Sequence, residues 1–192
     1  MPMEEARLCL LLQAVPGIED AVLTRLLSHC GSPGSLLSGG PALWFEAGLS
    51  PAQAGELERT LLRGSRLFDI DAQLAALTRV GAQVLPVTDA RYPPLLRAIH
   101  DPPPLLYARG DLALLGRPQL AVVGSRRASP AGLRAAGALA AEAAAAGLAI
   151  TSGLARGIDG AAHQGALGCG GGSIAVVATG IDRVYPAQHR RL

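Results

Sequence analysis

Residues 119–129 read QLAVVGSRRAS, a short apolar run that ends in a turn of glycine, serine and arginine. Residues 148–159 read LAITSGLARGID and repeat the same form. Each turn leads into a predicted helix, so the two stretches predict successive strand–loop–helix units. Connections of this kind bring their loops to the carboxyl edge of a parallel sheet, which is where open α/β sheets bind ligands.

A third strand is predicted at residues 173–178, SIAVVA, after a cluster of glycines that ends the preceding helix. The helix after the first loop begins at a Ser129 cap and its alanine-rich run extends to Gly147. The helix after the second loop is predicted from about Ile158 to Leu167. Continuously apolar strands that alternate with helices indicate an α/β fold with a parallel sheet covered on both faces.

Residues 4–79 carry the apolar spacing of helices and predict a small all-α domain. The turn at residues 15–20, VPGIED, resembles a helix-hairpin-helix, in which backbone N–H groups bind a DNA phosphate. Glu19 replaces a glycine of that turn and Asp20 adds a second negative charge, so a phosphate would be repelled. A structural or partner-binding role is favoured, and contact with DNA is the alternative.

Residues 83–118 contain half of the fourteen prolines of the chain. Proline is tolerated in edge strands and in turns, so this region predicts a connecting segment with one or two edge strands. The predicted domains are therefore a helical domain at residues 1–82 and an α/β domain at residues 83–192.

Charge is distributed unevenly between these two predicted domains. Residues 1–82 carry six arginines and nine carboxylates, whereas residues 83–192 carry eleven arginines and six carboxylates. The α/β part is therefore the basic part, as expected of a region that binds an anion. All seventeen basic residues are arginine, which excludes a Walker lysine, a Schiff-base lysine and a lysine general base in this chain.

The two loops have the composition of a phosphate site. Glycine lets a backbone approach closely, and the guanidinium groups of Arg126, Arg127 and Arg156 can bind phosphate oxygens in pairs. The glycine spacing does not match the dinucleotide-binding fingerprint, and no acidic residue ends the next strand to bind a ribose. Two neighbouring arginine loops favour a chain of phosphates over one pyrophosphate.

Polar side chains near the loops do not form a readable catalytic set. Asp159 and His163 are one helical turn apart and could pair, but no Ser–His–Asp arrangement has the required spacing. The three cysteines form neither a metal motif nor a disulfide framework, so no metal, cofactor or catalytic residue is predicted. The sequence shows no membrane span and no secretory signal, and a cytosolic, cytoplasmic protein is expected.

Several motifs in order resemble the DNA-processing protein A (DprA/Smf) family, over about 100 residues. They are GSR at 124–126, SGLARGID at 152–159, AH at 162–163, IAVV at 174–177, GID at 180–182, YP at 185–186 and, upstream, YPPLL at 92–96. The helical N-terminus resembles the sterile-alpha-motif-like domain of that family more loosely. The resemblance implies a Rossmann-like domain after residue 83.

The resemblance also implies a function. Members of the family are non-enzymatic proteins of bacterial natural transformation that bind and protect incoming single-stranded DNA and help to load the RecA recombinase, and the full-length proteins are expected to be homodimers. By motif, Gly124, Ser125 and Arg126 would bind backbone phosphates, and the residues that support them would be Ser152, Gly153 and Gly157. Such binding is electrostatic and tolerant of sequence.

Two features depart from the family pattern. Some members carry a basic residue just before the third strand, where this chain has Gly172. The chain ends at Leu192, whereas a Rossmann-like domain of the family continues for several strands and some members add a winged-helix domain. We therefore expect a Rossmann-like domain that is truncated at its C-terminus.

Two other functions remain as alternatives. Similar α/β folds bind or hydrolyse nucleotides, which predicts saturable binding of a mononucleotide and turnover. A third possibility is a scaffold whose DNA-binding function depends on residues beyond this chain.

Overall fold

The computed structural model describes residues 2–63 and 69–192. The chain forms two compact units, one up to Gly110 and one from Asp111 to Leu192. Residues 83–110, which the sequence assigned to the α/β domain, belong by their contacts to the first unit. The predicted domain boundary at residue 82 stays a prediction, and residues 64–68 of the predicted helical domain lie outside the described residues.

Among the described residues of the first unit, six helices precede its first strand. Their bounds are Pro2–Gln13 (α1), Asp20–Cys30 (α2), Pro33–Ser38 (α3), Gly40–Glu46 (α4), Pro51–Arg63 (α5) and Ile70–Arg79 (α6). Leucines at helical spacing, among them Leu12, Leu26 and Leu57, are fully buried between them. Trp44 is 4% exposed and its indole N–H donates to the carbonyl of Leu36 at 2.7 Å. The similarity of this helical part to a sterile-alpha-motif domain stays a prediction.

A short antiparallel sheet follows the helices in the first unit. Strand β1, Ala82–Pro86, pairs with β2, Leu105–Arg109, and β1 packs against α1 and α6. The proline-rich segment between the strands includes the short helix α7, Pro94–Arg97, and is held by Tyr92, which is fully buried and donates to the carbonyl of Pro103 at 2.8 Å. The predicted edge strands are therefore present, as a hairpin of the first unit.

The second unit is a parallel sheet with two helices, and the predicted α/β alternation is confirmed. The sheet has the order β3-β4-β5, and both neighbouring pairs are parallel. Its elements are Gln119–Ala121 (β3), Pro130–Ala145 (α8), Ala149–Ser152 (β4), Ile158–Gly168 (α9) and Ser173–Ala175 (β5), flanked by short 3-10 helices at Leu112–Gly116 and Ala187–Arg191. No described helix combines the length and the apolar character needed to cross a bilayer.

One face of this sheet is covered by both helices. Val122 and Ile150 form a buried cluster with alanines of α8 and α9, including Ala140 and Ala162. Strands that follow in order with crossovers of one hand place their helices on the same side, which explains why both lie there. On the opposite face Val123 and Val176 are exposed. Within the strands this face is half-covered, since Ala149 is fully buried and Thr151 and Ile174 are half-buried. The expectation that helices cover both faces stays a prediction.

Helices α8 and α9 approach each other through glycine. A Cβ added at Gly165 would overlap the carbonyl oxygen of Gly137, so these backbones are in direct contact. Only a hydrogen side chain at residue 165 permits this separation, and the alanine-rich surfaces on either side pack because of it.

We predict that Gly165→Ala lowers the free energy of unfolding by about 1–3 kcal/mol, because overpacking forces the two helices apart. Urea unfolding measures the change. Gly168→Ala is the matched control: it lies in the same helix with no atom within 4 Å of the added Cβ, and it should leave stability unchanged or slightly raised. Equal losses in the two variants would contradict the close approach.

Candidate functional site

The two arginine loops leave the same edge of the parallel sheet. Strand β3 pairs with β4 in the register Gln119 to Ala149 through Ala121 to Thr151, so both strands end side by side. The first loop extends from Val122 to Ser129, and the second from Gly153 to Gly157. Their helices begin directly afterwards, at Pro130 and Ile158. The arrangement predicted from the sequence is therefore present at the carboxyl edge.

The loops are packed against each other at two glycines. A Cβ at Gly157 would overlap the carbonyl oxygen of Ser125, and the N–H of Ile158 donates to that same oxygen at 3.2 Å. A Cβ at Gly124 would lie 2.7 Å from Cγ1 of Ile158. Gly157 also has a φ of +81°, a conformation that favours glycine. Gly124, predicted to bind a backbone phosphate, and Gly157, predicted to support such binding, are thus required for the packing of the loops.

Two further predicted site residues direct their polar groups into the protein. Ser152 is 3% exposed, and its hydroxyl donates to the carbonyl of Val122 at 2.6 Å, which joins β3 to β4. The N–H of Gly153 donates to Oδ2 of Asp159 at 3.2 Å. These hydrogen bonds shape the loops, and they use the groups that would otherwise be offered to a ligand. A direct contact of either residue with phosphate stays a prediction.

The remaining predicted residues face solvent. Ser125, Arg126, Arg127 and Arg156 are all exposed. The hydroxyl of Ser125 accepts a hydrogen bond from the N–H of Arg127 at 3.1 Å, a turn that holds the two neighbouring arginines on one loop. Within residues 111–192, all of which the structure describes, no arginine takes part in a salt bridge. The guanidinium groups on these loops are therefore available to an anion.

Most of the positive charge of the second unit lies in the segments that follow its strands. Residues 111–192 contain eight arginines and four carboxylates, one of which, Asp159, is buried. Six of the eight arginines belong to the segments that follow the three strands: Arg126, Arg127, Arg156, Arg183, Arg190 and Arg191. Arg190 and Arg191 were not predicted as site residues from the sequence. Only the structure shows that the final 3-10 helix, which carries them, lies beside the second loop.

That final helix reaches the second loop through His189. Its Nδ1 lies 2.9 Å from the carbonyl oxygen of Leu154, and a Cβ at Gly160 would lie 2.8 Å from its Cε1. Leu154 has a φ of +57°, in the left-handed region that a branched side chain adopts at a cost of about 1–2 kcal/mol. The second loop is therefore strained and is held by side chains from outside it.

The acid–base candidates Asp159 and His163 are also buried, and Nε2 of His163 has no hydrogen-bond partner among the described residues. The Asp159 carboxylate accepts from the N–H groups of Gly153 and Ala155. His163 is 2% exposed, and its Nδ1 lies 2.6 Å from the hydroxyl of Ser173, which itself donates to the carbonyl of Ile150 at 3.2 Å. The hydroxyl must then accept from Nδ1–H. The group that faces Nδ1 of the imidazole is thus the Ser173 hydroxyl, which is itself bound to the backbone of β4.

Burial lowers the pKa of His163 below its ordinary value of 6.5; the Asp159 carboxylate opposes this shift and His189 adds to it. Below pH 6.5 the unfolded chain therefore binds a proton that the native chain rejects. We predict that the free energy of unfolding falls as the pH decreases through this range, by up to about 1.4 kcal/mol per pH unit, until native His163 is itself protonated.

Urea unfolding of wild type and His163→Gln between pH 5 and 8 tests this prediction. The substitution should flatten the pH dependence, whatever it does to stability at pH 8. His100→Gln, at an exposed histidine, is the control and should keep the wild-type slope. The same slope in all three proteins would show that His163 is not the group responsible.

The parallel sheet and its alternating helices define an α/β protein, with exposed arginines on the loops of its carboxyl edge. The sequence model described as DNA recombination-mediator protein A matches residues 83–192, and the chain belongs to this family.

Individual relatives agree with this assignment. Protein Smf of Escherichia coli (strain K12) is 43% identical over 123 residues, which are 64% of this chain and 33% of that protein. DNA processing protein DprA of Bacillus subtilis (strain 168) is 36% identical over 120 residues, 62% of this chain and 40% of the relative. The X-ray structure of DNA processing protein A from Streptococcus pneumoniae superposes with a TM-score of 0.71 at 31% identity and covers 100% of this chain and 62% of the other. The chain thus spans only about a third to two fifths of these curated relatives.

Proposed function

We propose that this chain binds single-stranded DNA along the carboxyl edge of the β3–β5 sheet. The observation that carries the proposal is the placement of six of the eight arginines of residues 111–192 on the segments after the strands, with no salt bridge to neutralise them. Guanidinium groups pair with phosphate oxygens in bidentate geometry, and a row of them matches the repeating charge of a nucleic-acid backbone.

The geometry favours a single strand that is bound without regard to sequence. Four of the six arginines belong to loops, and Arg190 and Arg191 belong to the final 3-10 helix. Helices α8 and α9 are packed against the sheet, so neither is free to enter a major groove. Tyr185 is exposed in the segment after β5 and offers a ring on which a base can stack. Phosphate contacts together with stacking account for binding that tolerates any sequence.

The predicted site residues divide into two roles under this proposal. Ser125, Arg126, Arg127 and Arg156 face solvent and contact phosphates. The other four hold the loops in place and in contact with each other; they are Gly124, Ser152, Gly153 and Gly157.

The proposal extends to the whole protein of which this chain covers a part. The family model is described as DNA recombination-mediator protein A, and the relatives from Bacillus subtilis and Streptococcus pneumoniae are named DNA processing proteins. Accordingly the whole protein would act in the cytoplasm as a homodimer without enzymatic activity. It would protect incoming single-stranded DNA during natural transformation and help to load the RecA recombinase.

Fluorescence anisotropy of a labelled oligo-dT at several salt concentrations tests binding by this chain. We expect affinity to fall steeply with salt, and Arg126→Ala and Arg156→Ala each to reduce the slope of log K against log salt by about 0.7, the value of one phosphate contact on a single strand.

Arg117→Ala is the matched control for charge. Arg117 is exposed and precedes β3, close to Gly172, which precedes β5, so it lies at the opposite edge of the same sheet. Its removal should leave the slope unchanged. Equal effects of all three substitutions would indicate general charge attraction and not a site. Saturable binding and turnover of a mononucleotide would instead support a nucleotide-binding or nucleotide-hydrolysing enzyme.

A further inference from the structure

The loop that carries Arg156 has a backbone conformation that its own sequence does not favour. Leu154, two residues before the arginine, is the one residue other than glycine with a positive φ, at +57°, among the described residues. Leucine leaves this region readily when nothing opposes it, because its Cβ is crowded there. A change at Leu154 would rotate the peptide groups on either side and redirect the residues that follow.

Two side chains from outside residues 153–157 hold the peptide groups around Leu154. The Asp159 carboxylate, through Oδ2, accepts from the N–H of Gly153 at 3.2 Å and of Ala155 at 3.4 Å. His189 lies 35 residues away in sequence, and its Nδ1 is 2.9 Å from the carbonyl oxygen of Leu154. A carbonyl can only accept, so Nδ1 carries the hydrogen. Three consecutive residues are thus each bonded to one of two side chains.

The position of the imidazole is itself constrained by packing. A Cβ at Gly160 would lie 2.8 Å from Cε1 and 3.0 Å from Nε2 of His189, so the ring lies directly against the first turn of α9. Asp159, in the same turn, is 6% exposed. The hydrogen bonds of His189 and Asp159 therefore connect the final 3-10 helix and the start of α9 to the strained loop.

We propose that His189 and Asp159 are positioning residues that hold the left-handed conformation at Leu154 and thereby present Arg156 to the DNA backbone. This inference rests on the proposed function, because a positioning role exists only if Arg156 binds DNA. His189 and Asp159 act through their hydrogen bonds to the loop and need not contact the DNA. Its specific consequence is that the contribution of Arg156 to affinity depends on His189, whereas the contribution of Arg126, on the other loop, does not.

A double-mutant cycle on the 192-residue chain, read by anisotropy with oligo-dT, tests this dependence. Arg156→Ala should weaken binding roughly fivefold at 0.1 M salt. This is about the factor by which one phosphate contact on a single strand strengthens binding when the salt concentration falls from 1 M to 0.1 M. His189→Ala should weaken it by a similar factor, and the double variant should bind no more weakly than either single variant. Combined with Arg126→Ala, the His189→Ala loss should multiply.

Two further variants distinguish positioning from charge and from general damage. His189→Asn should restore most of the affinity, because its amide Nδ2 is as many bonds from Cα as Nδ1 of histidine and can donate to the same carbonyl while it carries no charge. Gln188→Ala, at the exposed neighbour in the same 3-10 helix, should bind like wild type. Amide hydrogen exchange should show faster exchange at Ala155 in His189→Ala without a change in the amides of β4.

The outcomes separate this inference from the proposed function. If His189→Ala binds like wild type, or if its loss multiplies with that of Arg156→Ala, the positioning role is wrong while DNA binding stands. Failure of His189→Asn to restore affinity overturns it as well. If the folded wild-type chain does not bind the oligonucleotide at all, the proposed function fails first and this inference fails with it.

Discussion

The contact on which the candidate site depends is the approach of the second loop to the carbonyl of Ser125. Gly157 has no room for a Cβ there, and the N–H of Ile158 donates to the same oxygen. This contact joins the ends of β3 and β4 into one surface, so that arginines from separate loops can serve one ligand. A single added methyl group would separate the loops, because the obstacle is backbone and cannot rotate away.

The packing of the second unit buries some of its polar side chains and leaves others at the surface. Ser152, Asp159 and His163 are buried and bond to backbone or to another side chain, and Nε2 of His163 alone among their polar atoms is buried without a partner among the described residues. The arginines remain outside, without salt bridges within residues 111–192. Ser152 and Asp159 therefore give the loops of the carboxyl edge their shape.

The strained backbone of the second loop at Leu154 is also held by buried and half-buried polar side chains. A leucine at positive φ is tolerated only where its surroundings determine it, and such residues are concentrated at functional sites. Here the surroundings are a carboxylate at the start of α9 and an imidazole from the last turn of the chain. Bonds between distant segments thus hold this edge in one conformation, which would reduce the ordering required by the proposed binding of a DNA strand.

The sequence alone determined the order of strands and helices in the second unit and the arginine-bearing turns between them, since apolar runs, caps and glycine-rich turns act over a few neighbouring residues. It also determined that the α/β part is basic. Tertiary structure alone decided which polar groups stay available. Ser152 and His189 find their partners 30 and 35 residues away, and no local pattern encodes those distances. It likewise decided that both helices cover one face, because that depends on how successive strands associate in space.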